Sequence, residues 1–338
     1  MFQPVELMMM LYSRLSLVCF IVVGTACFSY GQSDNAESLA SWNDGQTKSV
    51  IVDFVRRVTA KDSPDFVPEG ERIAVFDNDG TLWVEQPMYI QLVFALDRVK
   101  ELAADHPEWK TKQPFKAALE GDFHGIAASG EKGVVELIMA THAGMTNDEF
   151  SDIVANWLET TRHPKLNRPY TQCVYQPMLE LLKYLSANGF KTIIVSAGGV
   201  EFMRVFAERV YGIPPEQTFG SSVKMKYELR NGKPAIIRLP EIDFVNDKAN
   251  KPVGIQRYIG RRPIMAFGNS DGDFEMIEYV TAGEGPSLGA IVHHTDPVNE
   301  YAYDRDSVAG RLVKGLDEAE SRRWLLIDMK SDWKQVFP

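Results

Sequence analysis

Four short apolar runs, at 72–77, 190–196, 263–268 and 289–293, alternate with longer segments of helical periodicity. A continuous apolar run of this length is typical of a strand that is buried on both faces. Strands that alternate with helices predict a parallel sheet covered by helices, which is an α/β fold. In such sheets the functional residues lie at the carboxyl ends of the strands. We therefore expect the residues that follow these runs to form the site.

The segment between the first and second strands is long and helical, with no strong strand pattern between residues 85 and 170. A helical insertion of this size after the first strand predicts a cap module. Its clearest helical patterns are Tyr89–Ala104, Val134–His142 and Asn147–Glu159. Elsewhere the patterns predict helices over residues 50–58, Pro177–Asn188, Glu201–Tyr211 and Pro252–Ile259, and a hairpin over Met225–Ile237 with Asn231-Gly232 at its turn.

The composition excludes several classes of partner and scaffold. The 338 residues include 46 Asp and Glu against 36 Lys and Arg, which gives a formal charge of −10, and no run of basic residues occurs. So acidic a chain is a poor candidate for nucleic acid or an anionic membrane surface, and we expect no nucleic-acid partner. Because the chain has only 3 cysteines, disulfide scaffolds and cysteine-rich zinc modules are excluded.

The N-terminus has the pattern of a targeting segment. Arg14 precedes an apolar stretch at 15–28, which is 14 residues long. A signal-peptide core has about 7–15 apolar residues, whereas a membrane span needs about 20. We therefore predict a signal peptide over 1–31, cleavage after Gly31, and a periplasmic or secreted protein with no stable membrane insertion after cleavage. An uncleaved anchor and a lipoprotein linked through Cys27 are the alternatives.

Polar residues that could take part in catalysis or binding follow the predicted strands or begin the next helix. The first run ends in Asp-Asn-Asp-Gly-Thr at 77–81, which places two carboxylates two residues apart before a tight turn. The second ends at Ser196 before Ala-Gly-Gly, where small residues let backbone N–H groups approach an anion. Lys251 begins a predicted helix, and the third run ends in Gly-Asn-Ser-Asp-Gly-Asp at 268–273. Each segment alone is also ordinary turn or capping chemistry, so their combination in this order carries the argument.

Taken together, these segments resemble the motifs of the haloacid dehalogenase superfamily, in its phosphoserine-phosphatase-like branch. That family shows Asp-x-Asp-Gly-Thr, then a hydrophobic run ending in Ser or Thr, then a lysine, then an acidic turn after a strand. The resemblance spans about 71–296. It implies a Rossmann-like parallel sheet flanked by helices over 32–84 and 172–338, with a helical cap domain over 85–171 inserted after the first strand.

The resemblance also implies a reaction and a role for individual residues. Asp77 would be the nucleophile that forms an aspartyl-phosphate, and Asp79 would act first as an acid and then as a base. The implied cofactor is Mg²⁺, and the implied substrate is a small phosphorylated metabolite. The phosphate-binding residues would be Thr81, Ser196, Gly198 and Lys251, and the metal-binding residues would be Asp77, Asp79, Asn269 and Asp273.

The sequence departs from the family pattern in two places. The acidic turn begins Gly-Asn where Gly-Asp is usual, so Asn269 would bring less charge to a metal, and Asp271 or Asp273 would have to compensate. In phosphoserine phosphatases a glutamate shortly after the first motif reads the amino group of the substrate. Glu85 lies one residue early, which disfavours phosphoserine. Lys248 is the alternative to the lysine at 251, which we prefer because Pro follows it and fits a helix start.

The sequence therefore predicts a Mg²⁺-dependent phosphomonoester hydrolase. The alternative from another class is a catalytically weak or inactive secreted binding protein that kept the fold, and Asn269 is its only support. A dehalogenase is disfavoured because those enzymes lack an acid at the position of Asp79. Trp83 and Tyr89, near the hinge of the cap, are expected to serve in packing.

Overall fold

The computed structural model describes residues 39–338. The predicted signal peptide at 1–31 therefore lies outside the described residues. Within the described part of the chain we find no helix with the length and apolar character needed to cross a lipid bilayer.

An eight-stranded sheet forms the centre of the fold. In chain order its strands are β1 (Ile73–Phe76), β2 (Lys191–Gly199), β3 (Thr218–Arg230), β4 (Lys233–Phe244), β5 (Met265–Gly268), β6 (Leu288–Thr295), β7 (Ala302–Tyr303) and β8 (Leu325–Asp328). Their order across the sheet is β4-β3-β2-β1-β5-β6-β7, and β8 also pairs with β6. Strands β4 and β7 are antiparallel to their neighbours, and the other pairs are parallel. The predicted α/β class with a parallel-dominated sheet is confirmed.

Helices cover both faces of the sheet and fill the connection between β1 and β2. In chain order they are α1 (Gln46–Thr59), α2 (Ile90–Leu102), α3 (Phe115–Glu120), α4 (Phe123–Ala128), α5 (Gly130–His142), α6 (Asn147–Thr160), α7 (Gln176–Ala187), α8 (Val200–Arg204), α9 (Ala207–Tyr211), α10 (Asn250–Tyr258), α11 (Phe274–Thr281), α12 (Lys314–Glu318) and α13 (Met329–Asp332). The alternation of strand and helix read from the sequence is therefore present along the chain.

Two predicted elements differ from the structure in extent. The hairpin predicted over Met225–Ile237 is longer, because the start of β3 joins the parallel sheet and pairs Thr218 with Ile194 of β2. The helix predicted over Glu201–Tyr211 is divided into α8 and α9. The division lies at Phe206, whose φ of −124° is not helical. Its ring is buried and stacks on Trp83 at 4.4 Å, so tertiary packing overrides the helical pattern there.

Strand β1 lies between β2 and β5, so three strand ends meet beside the first carboxylate. Phe76, the last residue of β1, is paired with Ile194 on one side and with Phe267 on the other. The backbone N–H of Asp77 then donates to the carbonyl of Phe267 at 2.9 Å. Because these strands are parallel, their carboxyl ends lie at one edge of the sheet. The residues after β1 and β5 and at the end of β2 therefore converge.

Two apolar clusters hold the sheet between its helical layers. Alternate residues of a strand point to opposite faces. Ala74 and Phe76 belong to the larger cluster, which includes residues of α1 and α7. Ile73 and Val75 belong to the other, which includes residues of α10 and α11. Both faces of β1 are thus buried, which is why its sequence is a continuous apolar run.

The helices between β1 and β2 fall into two groups by their packing. Val99 of α2, Ile126 of α4 and Leu137 of α5 belong to a third apolar cluster, separate from the two that contact the sheet. Helix α6 instead buries Phe150 in the larger sheet cluster. Helices α2 to α5 therefore share a core, and α2 also packs Ile90 and Phe94 into the larger sheet cluster. A cap domain with the bounds 85–171 stays a prediction.

Candidate active site

Lys251 joins two buried carboxylates at the end of β1. Its Nζ lies 2.7 Å from Oδ1 of Asp77 and 2.5 Å from Oδ1 of Asp273. The lysine is the second residue of α10, and Pro252 follows it in the first turn of that helix. The alternative candidate, Lys248, is exposed. The structure therefore brings together the carboxylate, the lysine and the acidic turn that the sequence places far apart.

Burial and charge act in opposite directions on this trio. Burial alone would lower the pKa of Lys251, but the carboxylates of Asp273 and Asp77 raise it above its ordinary value. Burial, followed by the charge of Asp273, raises the pKa of Asp77 to about 7, and the contact with Lys251 opposes the rise. Because the ammonium group is in direct contact with Asp77, it is the group that favours the ionised form of this carboxylate.

Asp273 is held from two sides in the turn after β5. While its Oδ1 accepts from the lysine, its Oδ2 accepts from the backbone N–H groups of Asn269 and Ser270 at 2.9 and 3.1 Å. Gly268 permits this turn, since a Cβ there would lie 2.4 Å from the Cβ of Asp273. With both oxygens engaged, this carboxylate orients Lys251, and its predicted part in metal binding stays a prediction. Asp271 is directed elsewhere and caps the backbone N–H groups of residues 313 and 315 at 2.9–3.1 Å.

Asp79 is fixed by an indole that the sequence pattern assigned to packing alone. Nε1 of Trp83 donates to Oδ1 of Asp79 at 2.8 Å. The other oxygen faces the end of β2, since a Cβ placed on Gly198 would lie 3.5 Å from Oδ2 of Asp79. Burial raises the pKa of Asp79 to about 6, and the hydrogen bond from Trp83 opposes the rise. The carboxyl group is therefore half protonated at mildly acidic pH, which suits a group that must give and take a proton.

The amide of Asn269 bridges two residues of the loop after β1. Its Oδ1 accepts from Oγ1 of Thr81 at 3.2 Å, and its Nδ2 donates to Oε1 of Glu85 at 2.6 Å. Gly80, with a φ of +71°, permits this close approach, since a Cβ there would lie 2.1 Å from Nδ2 of Asn269. Glu85 also accepts from the hydroxyl of Tyr303 at 2.8 Å, and burial raises its pKa well above the ordinary value. The predicted phosphate contact of Thr81 stays a prediction, because its hydroxyl is directed at this amide.

Ser196 and Gly198 form a small turn at the end of β2. Oγ of Ser196 accepts from the backbone N–H of Gly198 at 3.1 Å, and the serine is 1% exposed. Its carbonyl accepts from Nδ2 of Asn246 at 3.0 Å, which ties this turn to the segment before α10. The two residues lie beside Asp79, and their predicted contacts with phosphate stay predictions.

Comparison with known proteins gives the family. A family model described as haloacid dehalogenase-like hydrolase matches residues 74–278, more than half of the chain. The chain belongs to the haloacid dehalogenase-like hydrolases. The match begins within β1, immediately before the Asp-x-Asp-Gly-Thr segment, and extends past the acidic turn into α11. No curated protein matches the chain.

One solved structure shows the fold of this hydrolase at low sequence identity. A protein of unknown function from Anaerococcus prevotii has a TM-score of 0.52 and 17% identity, covering 77% of this chain and 88% of its own. A protein of unknown function from Bordetella pertussis has a TM-score of 0.47 and 16% identity, over 77% and 99%. A phosphoserine phosphohydrolase-like protein from Francisella tularensis has a TM-score of 0.39 and 16% identity, over 74% and 98%. At 17% identity the likeness to the Anaerococcus prevotii protein is one of fold alone, so the function depends on the chemistry of the site.

The donor atoms at the site of this haloacid dehalogenase-like hydrolase are oxygens. The carboxylate of Asp77, the backbone carbonyl of Asp79 and the amide oxygen of Asn269 are hard donors of the type that Mg²⁺ prefers. Across residues 39–338, no group of three or more His, Cys, Asp and Glu side chains is arranged as a metal site. A set completed by a carbonyl and an amide is compatible with that result, and its single carboxylate gives it a low charge. The chemistry of these donors therefore fits a hard cation.

His294, near the end of β6, contacts the loop of the hydrolase that follows β1. Its Nε2 lies 2.8 Å from the carbonyl oxygen of Gly80, and its Nδ1 lies 3.1 Å from Oε2 of Glu300. Both residues of this pair are buried. The sequence assigns no role to this histidine, and its position near the end of a buried strand that is parallel to β5 is the signal that could have indicated one.

Proposed function

We propose that this hydrolase cleaves phosphomonoesters through an aspartyl-phosphate formed on Asp77. The observation that carries the proposal is the contact of Lys251 with both Asp77 and Asp273. A phosphate dianion and a carboxylate nucleophile repel each other, so their reaction requires a fixed positive charge between them. A lysine whose charge is secured by two buried carboxylates meets that requirement.

In the first step an oxygen of Asp77 attacks phosphorus and the bond from phosphorus to the alcohol oxygen breaks. The protonated carboxyl of Asp79 gives its proton to the departing oxygen, so the alcohol leaves neutral. Asp79 is suited to this role because burial raises its pKa to about 6. Trp83 holds one oxygen of Asp79 and leaves the other directed at the end of β2.

In the second step the Asp79 carboxylate takes a proton from water. The oxygen of that water attacks phosphorus, the bond from phosphorus to Asp77 breaks, and inorganic phosphate leaves. Asp79 is then protonated again and ready for the next ester. Lys251 contributes to both steps by stabilising negative charge on the transferred group, and we assign Ser196 and the Gly198 N–H to its remaining oxygens.

Mg²⁺ is the cation that we propose for the oxygen donors, held by the Asp77 carboxylate, the Asp79 carbonyl and the Asn269 amide oxygen. When bound, it would supply further charge for the phosphate oxygens. The amide of Asn269 is already oriented by Thr81 and Glu85, with its oxygen accepting from the hydroxyl. Asp273 would act through Lys251 and the turn backbone.

The substrate class is a small phosphorylated metabolite, as in the phosphoserine-phosphatase-like branch that the motifs resemble. The large helical insertion between β1 and β2 supports a cap that selects the alcohol part of the ester. The sequence at 1–31 supports export to the periplasm or outside the cell. A small ester in that compartment needs neither a nucleic-acid partner nor a stable membrane anchor.

The decisive experiment measures hydrolysis of p-nitrophenyl phosphate with Mg²⁺ and with a chelator, for the wild type and for Asp77→Asn. We expect Mg²⁺-dependent turnover that the variant lacks. The competing function is that of a weak or inactive binding protein, which is favoured by the neutral Asn269 at a position where the family usually has Asp. Absence of turnover in the wild type at every Mg²⁺ concentration would contradict the proposal and favour the competing function.

A further inference from the structure

A cavity of about 180 Å³ lies between α5 and the β3–β4 hairpin. Its walls are mainly apolar and include Val135, Ile138 and Met139 of α5, Val200 and Phe202 of α8, and Val223 of β3. An apolar cavity of about 150 Å³ in another protein is large enough for benzene. The cavity therefore has room for about one ring, or for an aliphatic chain of similar volume.

Asp79 is not part of the described lining, but Gly198 and Gln91 relate the cavity to the oxygen that would protonate the leaving group. Gln91 and Gly199 belong to its lining, and the backbone N–H of Gly199 donates to Oε1 of Gln91 at 2.7 Å. A Cβ placed on Gly198 would lie 3.5 Å from Oδ2 of Asp79 and 3.7 Å from Oε1 of Gln91. The side chains of Asp79 and Gln91 therefore border the same space beside Gly198. An alcohol that leaves Asp77 on the side of Asp79 would extend into the cavity.

Arg238, the only Lys or Arg in the lining described, is occupied by the protein itself. Its Nε donates to the carbonyl of His142 at 2.6 Å and its Nη1 to Oδ1 of Asn147 at 3.1 Å. Its guanidinium also lies over the ring of Phe150, 4.0 Å from the centroid. Arg238 is only 4% exposed, so these contacts use it to connect α5, α6 and the hairpin.

The other ionisable groups of the lining, His142 and Glu201, also have partners within the protein. Burial lowers the pKa of His142 to about 3, so its ring is neutral. Its Nε2 lies 3.1 Å from Nε2 of Gln91 and its Nδ1 lies 2.7 Å from Oγ1 of Thr141. Glu201 accepts from Nη1 of Arg204 at 2.9 Å. The cavity therefore offers an apolar surface, and each charged side chain in its described lining already has partners in the protein.

We infer that the substrate is the phosphomonoester of an uncharged, mainly apolar alcohol with roughly one ring or an equivalent chain. This rests on the proposed function and narrows its substrate class. An amino-acid leaving group would bring an ammonium and a carboxylate into an apolar space without partners, which is costly. Glu85, the nearest counterpart of a residue that would read an ammonium, is buried and bonded to Asn269 and Tyr303.

The experiment compares benzyl phosphate with glycerol 3-phosphate and O-phosphoserine on the wild-type enzyme. All three release a primary alcohol, so leaving-group chemistry differs little and the comparison reports on recognition. We expect kcat/KM for benzyl phosphate to exceed that for either polar ester at least tenfold, since a hydrophobic pocket discriminates by about 10–200-fold per methylene. Suppose that p-nitrophenyl phosphate is hydrolysed but kcat/KM is higher for the polar esters, or is the same for all three esters. The inference about the substrate is then overturned, while the proposed function stands. If none of the esters is hydrolysed, the proposed function fails with it.

A matched pair of variants tests whether the preference for benzyl phosphate arises in the cavity. Ile138→Asn makes the cavity wall polar, and Val253→Asn makes the same kind of change on α10, where the side chain is 47% exposed and outside the cavity. We expect Ile138→Asn to lower kcat/KM for benzyl phosphate about tenfold and to change that for glycerol 3-phosphate less than twofold, while Val253→Asn changes neither. An equal loss on both esters in Ile138→Asn, with an unchanged melting temperature, would contradict the assignment of the cavity.

Discussion

Nε1 of Trp83 donates a hydrogen bond of 2.8 Å to Oδ1 of Asp79, four residues earlier in the same loop. The indole is 1% exposed and lies between this carboxyl group and the ring of Phe206. A donor to a carboxylate favours its charged form and lowers its pKa. Trp83 therefore limits how far burial can raise the pKa of the proposed acid and base.

Replacement of this tryptophan should move the pH profile in a defined direction. In Trp83→Phe the charged form of Asp79 loses a hydrogen bond, so its pKa should rise above about 6. Since the first step needs protonated Asp79, the fall of kcat/KM at high pH should shift to higher pH, measured with an alkyl phosphate. The control is Phe206→Leu, which changes the stack on the indole and leaves the donor in place. An unchanged profile in Trp83→Phe would show that the bond does not set this pKa.

Removal of the Asp79 charge should stabilise the metal-free protein at neutral pH. Its pKa is about 6 in the fold against an ordinary value of 3.8, so the folded state binds the proton more tightly. The wild type then carries a costly buried charge above pH 6, and this cost disappears as the pH falls through 6 towards 3.8. We expect Asp79→Asn to melt at a higher temperature than the wild type at pH 8 with chelator, and at the same temperature near pH 3.8. The exposed Asp105→Asn is the control for the loss of one surface carboxylate.

Loss of the lysine should destabilise the protein through the carboxylates that it leaves behind. Lys251→Met removes the partner of Asp77 and Asp273 while it keeps most of the side-chain volume. Breaking a buried ion pair in this way costs about 3–5 kcal/mol, measurable by urea unfolding at pH 8. The double variant Lys251→Met/Asp273→Asn should recover part of that stability and none of the activity. A double variant less stable than the single one would mean that the hydrogen bonds of Asp273 in its turn contribute more to stability than its unpaired charge costs.

Mg²⁺ affinity should depend on the pair formed by Asn269 and Glu85. Asn269→Asp adds a negative charge for the metal, but it places a carboxylate oxygen against Oε1 of Glu85, where the amide nitrogen now donates at 2.6 Å. We therefore expect a small gain in affinity from Asn269→Asp and a larger gain from Asn269→Asp/Glu85→Gln, in which the new amide can donate. Titration of Mg²⁺ by calorimetry and by activity measures both. Equal Mg²⁺ affinities in the two variants would show that Glu85 does not oppose the gain from Asn269→Asp.

The parts of the site that the sequence predicted are those fixed by strand ends. Asp77 and Asn269 directly follow short apolar runs, and adjacent parallel strands must bring such residues together. Trp83, Gln91 and His294 were not assigned their contacts, because the target of an indole, amide or imidazole depends on tertiary packing. The bounds of α3 and α4 were missed for a related reason. Helices of 6 residues each carry too little periodicity to be recognised.

The contact between Asp77 and Lys251 spans 174 positions of the chain. Closing a loop of this length costs conformational entropy, which the packing of the intervening helices and hairpin must offset. A nascent or truncated chain that ends before α10 would have Asp77, the proposed nucleophile, and lack the Lys251 cation that contacts it. The enzyme is therefore expected to acquire hydrolytic competence in one step at the close of folding, so that recovered turnover after dilution from urea would report the completed fold more directly than helix content does.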